Sequence, residues 1–289
     1  MKLAMVIPSI RYNHLLLILK HVAMLEPPPD IVVLVIPESI INELINAIQN
    51  LDKDNIKFII LKQQKGLVEA RNKGIVAAIM YDADMIWLFE DDAFVLNKNI
   101  VDRIKRYCLK LVKEKNKKLG IIFGYQELKS VDGILRPLQY LTVQSIKNES
   151  LVSKLMSILY NMFLDIHGFR GLPYLIPAAT LVLTKDAIRT SGLFYEGFER
   201  EAEWSEPDLI IRILNNDFKV VRLKDFVVRH YIHSSKYFSL GYWIRRTHNF
   251  LLYIVRNHRF WILYFFVAIL LLLGALLAFL YQVKIDKSR

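Results

Sequence analysis

Apolar residues fall in short, nearly continuous runs through the first third of the chain: Lys2 to Ile7, Ile31 to Ile36, Ile56 to Leu61 and Met85 to Phe89. Runs this short and this uniformly apolar are the pattern of strands covered on both faces. Between them His14 to Leu25, Ser39 to Leu51 and Leu67 to Tyr81 read as helices, with Pro8, Pro27 to Pro29 and Pro37 at the boundaries. Strand and helix in alternation predict an α/β domain: a doubly wound, mostly parallel sheet with right-handed crossovers, flanked by helices. Ligands bind such sheets beyond the carboxyl ends of the strands. Ser9 after Pro8, Glu38 after Pro37 and the triplet Glu90, Asp91 and Asp92 all fall at those ends.

The alternation continues less regularly. A basic helix is expected from about Asn99 to Lys118 and a strand at Gly120 to Tyr125; from Gln126 to Leu175 only the amphipathic run Leu151 to Leu164 stands out. Order returns with a strand at Ala178 to Thr184 and a short helix, Lys185 to Ser191, capped by Gly192. An acid-rich loop, Tyr195 to Glu206, then leads into a helix over Pro207 to Asn215, with Ser205 as its N-cap. Lys219 to Leu223 reads as a further strand, and the aromatic, basic stretch Tyr237 to Asn257 as an interfacial helix.

The longest apolar run lies near the end: Phe260 to Val283 holds no formal charge. As a helix its 24 residues measure about 36 Å, enough to cross a hydrocarbon core of about 30 Å with some tilt. The organisation predicted is therefore a domain over residues 1–236, a basic aromatic segment over 237–259, one transmembrane helix over 260–283 and a short basic tail over 284–289. Met1 to Pro8 lacks the length of a secretory signal, so the domain before the span is expected on the cytoplasmic side of the membrane.

Charge and cysteine narrow the function classes. A single cysteine, Cys108, excludes an intramolecular disulfide and any cysteine-cluster metal site. The net charge of +11 is uneven: nine Lys/Arg face two acids between Lys98 and Lys118, and eight face only Asp225 between Val221 and Arg259. The first run reads as a solvated helix face. The second abuts the span, where anionic headgroups favour each nearby cation by about 1 kcal/mol, so membrane lipids are the expected partner. Neither run carries the aromatic-basic interleaving of a nucleic-acid surface.

Three consecutive carboxylates at a strand's exit are costly unless solvated or neutralised, and a divalent cation holding a phosphate neutralises them. Glu90 and Asp92 are two apart and can share one side of the chain, with Asp91 pointing elsewhere. Upstream, Arg71 and Lys73 could supply cations to a phosphate and Asn72 polar contacts, while Gly66 and Gly74 permit close backbone approach. A second acidic group, Glu199, Glu201, Glu203, Glu206 and Asp208, surrounds Trp204. A carboxylate that accepts a proton from a hydroxyl must stand apart from a metal that would hold it inert, and Glu206 at a helix start is the best placed. Trp204 either stacks on a sugar ring or staples the loop to the core. His230 and His233 follow a strand, and either could add an imidazole to a carboxylate-held metal.

Taken as an ordered set, these segments resemble the family 2 glycosyltransferases, inverting enzymes of the GT-A fold that use nucleotide-diphospho-sugars. LAMVIPSIRYN is similar to their first strand and turn, QKGLVEARNKGIVAA to their ARN-x-G helix start, and IWLFEDDAF to their strand ending in the DxD-type motif. PAATLVLTKDAIRTSGLFYEGFE resembles their acceptor-side strand and turn, SEPDLIIRIL their ED-x-D-L-x-x-R helix, and VVRH the segment bearing a late histidine. The resemblance covers about Lys2 to His233. It implies Mg²⁺ or Mn²⁺ at Glu90 and Asp92, with Asp92 the direct ligand and His230 nearby. It also implies Asp91 on the ribose or sugar, Arg71 near the nucleotide, Glu38 on the base-contacting loop and Glu206 as general base. Three departures stand out: Glu38 stands where Asp is usual on the base-contacting loop, which leaves uracil, guanine and thymine open; Glu90 replaces the usual Asp; and Ser205-Glu206 replaces the ED pair, which leaves a shift toward Glu203 open.

The function expected is transfer of a sugar from a nucleotide-diphospho-sugar donor to an acceptor hydroxyl, the acceptor being a lipid-linked or other membrane-proximal saccharide. The alternatives are a non-catalytic membrane-anchored module with the same fold and a nucleotidyltransferase. The latter normally carries a Gly-rich basic loop after the first strand, and PSIRYNH contains no glycine.

Overall fold

The structure is a computed structural model that describes residues 1–51, 55–113, 118–130, 178–198, 202, 204–232 and 240–257. The expected helix over Leu151 to Leu164, the acids Glu199, Glu201 and Glu203, His233 and the run Phe260 to Val283 lie outside these residues. Among the described residues no helix is long and apolar enough to cross a membrane.

The first half follows the apolar pattern closely. Strands β1 (Leu3–Pro8), β2 (Ile31–Ile36), β3 (Lys57–Lys62) and β4 (Met85–Leu88) alternate with helices α1 (Tyr12–Ala23), α2 (Ile41–Gln49) and α3 (Leu67–Met80). They pair in parallel in the order β3-β2-β1-β4. Alternate residues of each strand feed different cores, because successive side chains point to opposite faces. Ala4, Val6, Val33 and Val35 pack with α3 on one face, and Leu3, Met5, Ile7, Val32 and Leu34 pack with α1 on the other. Helix α3 lies close on the sheet because Gly74 has no side chain: a Cβ there would fall 2.2 Å from a methyl of Val6.

Beyond β4 the sheet becomes mixed, with two of its eight strands reversed and the other six running the same way, so it stays mostly parallel as expected. Strand β5 (Ala93–Val95) and helix α4 (Ile100–Lys113) are followed by β6 (Leu119–Ser130), β7 (Val182–Thr184), α5 (Lys185–Ser191), α6 (Ser205–Asn215), β8 (Lys219–Ile232) and α7 (Leu240–Asn257). The full order is β3-β2-β1-β4-β7-β6-β8-β5, and β7 runs antiparallel to both β4 and β6. Ala178–Thr180 forms a short 3₁₀ turn rather than the first half of the expected strand.

Strands β6 and β8 pair in parallel over most of their length, with register shifts at Leu119/Ile121 and Phe123/Tyr125. Gly124 sits at the second shift, where an added Cβ would meet the Phe226 carbonyl oxygen at 2.1 Å. Such irregularities bend a strand pair. The bend carries the distal half of β8 onto β5, which follows β4 by only four residues, so Ala93 pairs with His230. The sheet thus curls back on itself at the point where the acidic triplet sits.

Candidate functional site

The triplet occupies the turn between β4 and β5. Phe89 still donates to the Val6 carbonyl at 2.9 Å, and the Ala93 N–H closes the turn on the Glu90 carbonyl at 3.2 Å. Within it Glu90 and Asp92 face one way. His230 Nε2 lies 2.9 Å from Asp92 Oδ1, and its Nδ1 lies 3.5 Å from Glu90 Oε2. Glu90, Asp92 and His230 each offer a ligand atom, all within 4.8 Å of one another. Asp91 faces the other way, accepting from the Ser9 hydroxyl and from Arg11.

Arg71, in the second turn of α3, is almost fully buried. Its Nη1 stands 2.6 Å from Glu206 Oε1 and its Nη2 stands 3.7 Å from Glu90 Oε1. One guanidinium therefore joins the metal-type cluster to the carboxylate at the start of α6. Ser205, expected as the N-cap, is instead the first residue of that helix; the cap is Trp204, in the left-handed region at φ 72°. Ala202 shares that conformation at φ 57°, unusual for residues other than glycine. Trp204 stacks on Tyr253 of α7 with ring centroids 5.4 Å apart, which makes it a staple between loop and helix.

The other expected site residues lie as follows. Ser9 touches Asp91, inside the site. Asn72 is buried with its amide engaged on both backbone groups of Phe194, at 2.9 and 3.0 Å. It ties α3 to the loop ahead of α6. Lys73 pairs with Glu69 and donates to the Lys62 carbonyl. Glu38 is exposed beyond β2 and pairs with Lys62 of the edge strand, apart from the acidic cluster. Arg11 was not singled out from the sequence, although it follows β1 just as Ser9 does. Its Nη2 bridges Asp91 and Asp92, 2.8 Å from Asp92 Oδ2.

The electrostatics match the geometry. Burial drives the Glu90 carboxyl above its ordinary range, and His230 and Arg71 only partly offset it. Burial acts in the same direction on Asp92, but the bonds from His230 and Arg11 prevail and hold it well below the usual carboxylate range. For His230 burial favours the neutral ring, yet Glu90 and Asp92 outweigh it and raise its pKa. Four carboxylates, Glu90, Asp91, Asp92 and Glu206, meet two guanidiniums, Arg11 and Arg71. A bound divalent cation would favour an ionised Glu90 and a neutral His230, and the two excess negative charges would then balance it. Two carboxylates and an imidazole are also a donor set that suits Mn²⁺ well and Mg²⁺ acceptably. The residues fit such an ion.

No protein-family model matches the sequence, and no curated protein matches it. Solved structures do resemble it. The mannosyltransferase PcManGT from Pyrobaculum calidifontis, in complex with GDP-Man and Mn²⁺, aligns with TM-score 0.59 and 11% identity over 88% of this chain and 63% of that one. Residues 1–349 of S. aureus TarS align with TM-score 0.54 and 16% identity over 89% of this chain and 65% of that one. The same TarS fragment bound to UDP-GlcNAc aligns at 0.54 and 15% identity, over 89% and 66%. This chain spans a little under two thirds of the mannosyltransferase and of the TarS fragment, and 39% of the longer TarS chain. The α/β fold found here, a mixed and curled sheet flanked by helices, is shared with these structures.

Proposed function

We propose that this chain is a metal-dependent inverting glycosyltransferase that moves a sugar from a nucleotide-diphospho-sugar to an acceptor hydroxyl. The observation that carries the reading is the pairing of two carboxylate centres through Arg71: Glu90, Asp92 and His230 on one side and Glu206 on the other. Mg²⁺ or Mn²⁺ at the first centre would neutralise the diphosphate and the charge that develops as it leaves. Asp91 and Ser9 would contact the donor beside it. Glu206 would take the proton of the acceptor hydroxyl as that oxygen bonds to the anomeric carbon. The bond from that carbon to the diphosphate breaks, the nucleoside diphosphate departs with the electron pair, and the configuration inverts. The likeness to structures holding GDP-Man with Mn²⁺ and UDP-GlcNAc supports a nucleotide-sugar donor.

The resemblance to family 2 and the charge-free run Phe260 to Val283 support a membrane anchor with the catalytic domain on the cytoplasmic side. Helix α7, which immediately precedes that run, docks beside Glu206 through Tyr253 and Trp204. An acceptor hydroxyl presented at the bilayer, on a lipid-linked or other membrane-proximal saccharide, suits that placement.

The test is donor turnover by the full chain in membranes with Mn²⁺, using UDP- and GDP-sugars. Asp92→Asn and Glu206→Gln are each expected to lower turnover by about 10²-fold or more. Turnover that survives both changes rules out the assigned roles.

A further inference from the structure

Asp92 carries its two oxygens on two different groups. Oδ1 faces His230 Nε2 at 2.9 Å, and Oδ2 faces Arg11 Nη2 at 2.8 Å. Arg11 is also braced on Asp91, through Nε at 3.1 Å and through Nη2, and its backbone N–H bonds Ser9 Oγ at 3.1 Å. The Arg11 side chain is still 30% exposed. A divalent cation taking Oδ1 on the His230 side would share one carboxylate with Arg11 on Oδ2, and two cations on one carboxylate repel and weaken each other's hold. A guanidinium turned off Asp92 keeps Asp91 as its anchor and presents a free edge at the carboxyl end of β1, where a planar fork suits phosphate oxygens.

We propose that Arg11 is a counter-cation that holds Asp92 until a metal–nucleotide complex arrives, and that it then exchanges Asp92 for the diphosphate of that nucleotide. This rests on the donor-binding role proposed above and adds a residue and an order to it. The bare metal binds weakly because Arg11 already neutralises Asp92. The metal and the nucleoside diphosphate together bind well, because the displaced guanidinium gains phosphate contacts. Arg11 therefore acts with opposite sign on the two ligands.

The probes are Mn²⁺ alone, followed through the free-ion signal in electron paramagnetic resonance, and UDP or GDP at saturating Mn²⁺, followed by calorimetry. Both use the full chain in detergent. Arg11→Met is expected to bind Mn²⁺ about tenfold tighter than wild type and the nucleotide about tenfold more weakly. Arg11→Lys keeps the charge but not the fork, so it is expected to restore the weak Mn²⁺ binding and only part of the nucleotide affinity. Thermal melts of both variants establish that the fold is intact; a melted Arg11→Met leaves the Arg11→Lys comparison to decide. If wild type binds Mn²⁺ and nucleotide and the variants change neither, or change both in the same direction, the exchange is wrong while the donor site stands. If wild type binds neither, the donor site itself is wrong and the exchange falls with it.

Discussion

At the scale of single residues, Arg71 and its neighbour Asn72 show how adjacent positions of one helix divide the work. The Arg71 guanidinium is the only group described that reaches both Glu90 and Glu206, and its planar fork lets one side chain address two carboxylates at different angles. A lysine ammonium keeps the charge but cannot hold both. Arg71→Lys is therefore expected to lower kcat for donor turnover by about a hundredfold through misplacement of Glu206, with a smaller change in donor KM. An unchanged kcat would mean that Glu206 is positioned without Arg71. Asn72 belongs to the frame: its amide satisfies both backbone groups of Phe194 in a buried setting. Asn72→Ala leaves those groups unpaired, at a cost of about 1–3 kcal/mol. The expected result is a lower melting temperature with unchanged nucleotide affinity at saturating Mn²⁺. A loss of affinity without loss of stability would instead return Asn72 to the donor site.

At the scale of elements, the contact between α1 and β5 carries a pH dependence of its own. His21 Nε2 accepts the Val95 N–H at 2.9 Å, and the ring packs edge-on against Phe94. Burial lowers the His21 pKa, and the neutral ring is the form able to accept that bond. The unfolded chain then binds the extra proton at a higher pH than the folded one, so the contribution is present above about pH 6.5 and is lost as pH falls through the lower folded value. His230, with its pKa raised, works with the opposite sign. Comparing His21→Gln with wild type separates the two. Thermal unfolding between about pH 5 and 7.5 is expected to show a shallower rise of stability with pH in the variant, and equal slopes would dismiss the effect. This element pairing also marks where sequence reading runs out. Strands β1 to β4 and their helices were legible because each apolar run and its proline boundary are local features, and the triplet fell at a strand end that follows from them. What brings His230 to Asp92 is the pairing of β5 with β8, which depends on a bend where Phe226 meets Gly124, a residue on a different strand and distant in sequence from both. Nothing local at His230 distinguishes it from His233. Trp204 as cap in place of Ser205 was hidden for a similar reason: its left-handed backbone is held by a ring on α7, 49 residues away.

At the scale of the molecule, α7, expected from the sequence as a segment apart from the domain, packs against α6. Asp208, two residues after Glu206, is fully buried, and three groups reach its carboxylate: Arg212 from its own helix at 3.0 Å, and Arg256 and Asn257 from the end of α7, each at 2.9 Å. Arg256 also lies over the Tyr195 ring, 3.7 Å from its centroid, and Tyr253, Leu251 and Leu252 join the core that holds Leu209, Ile210 and Ile213. Removing α7 leaves a buried carboxylate with one cation in place of two and uncovers that apolar surface. Losing the bonds from Arg256 and Asn257 while Arg212 stays costs on the order of 2 kcal/mol before the apolar loss is added. Two truncations follow from this. A chain ending at residue 259 keeps α7, and is expected to leave the membrane fraction while melting near the full chain and turning over donor. A chain ending at residue 239 loses the latch on Asp208, and is expected to melt at a clearly lower temperature and to lose donor turnover along with the register of Glu206. Asp208→Ala in the longer truncation should reproduce part of that loss. If both truncations behave alike, α7 is a tether only, and the placement of Glu206 does not depend on it.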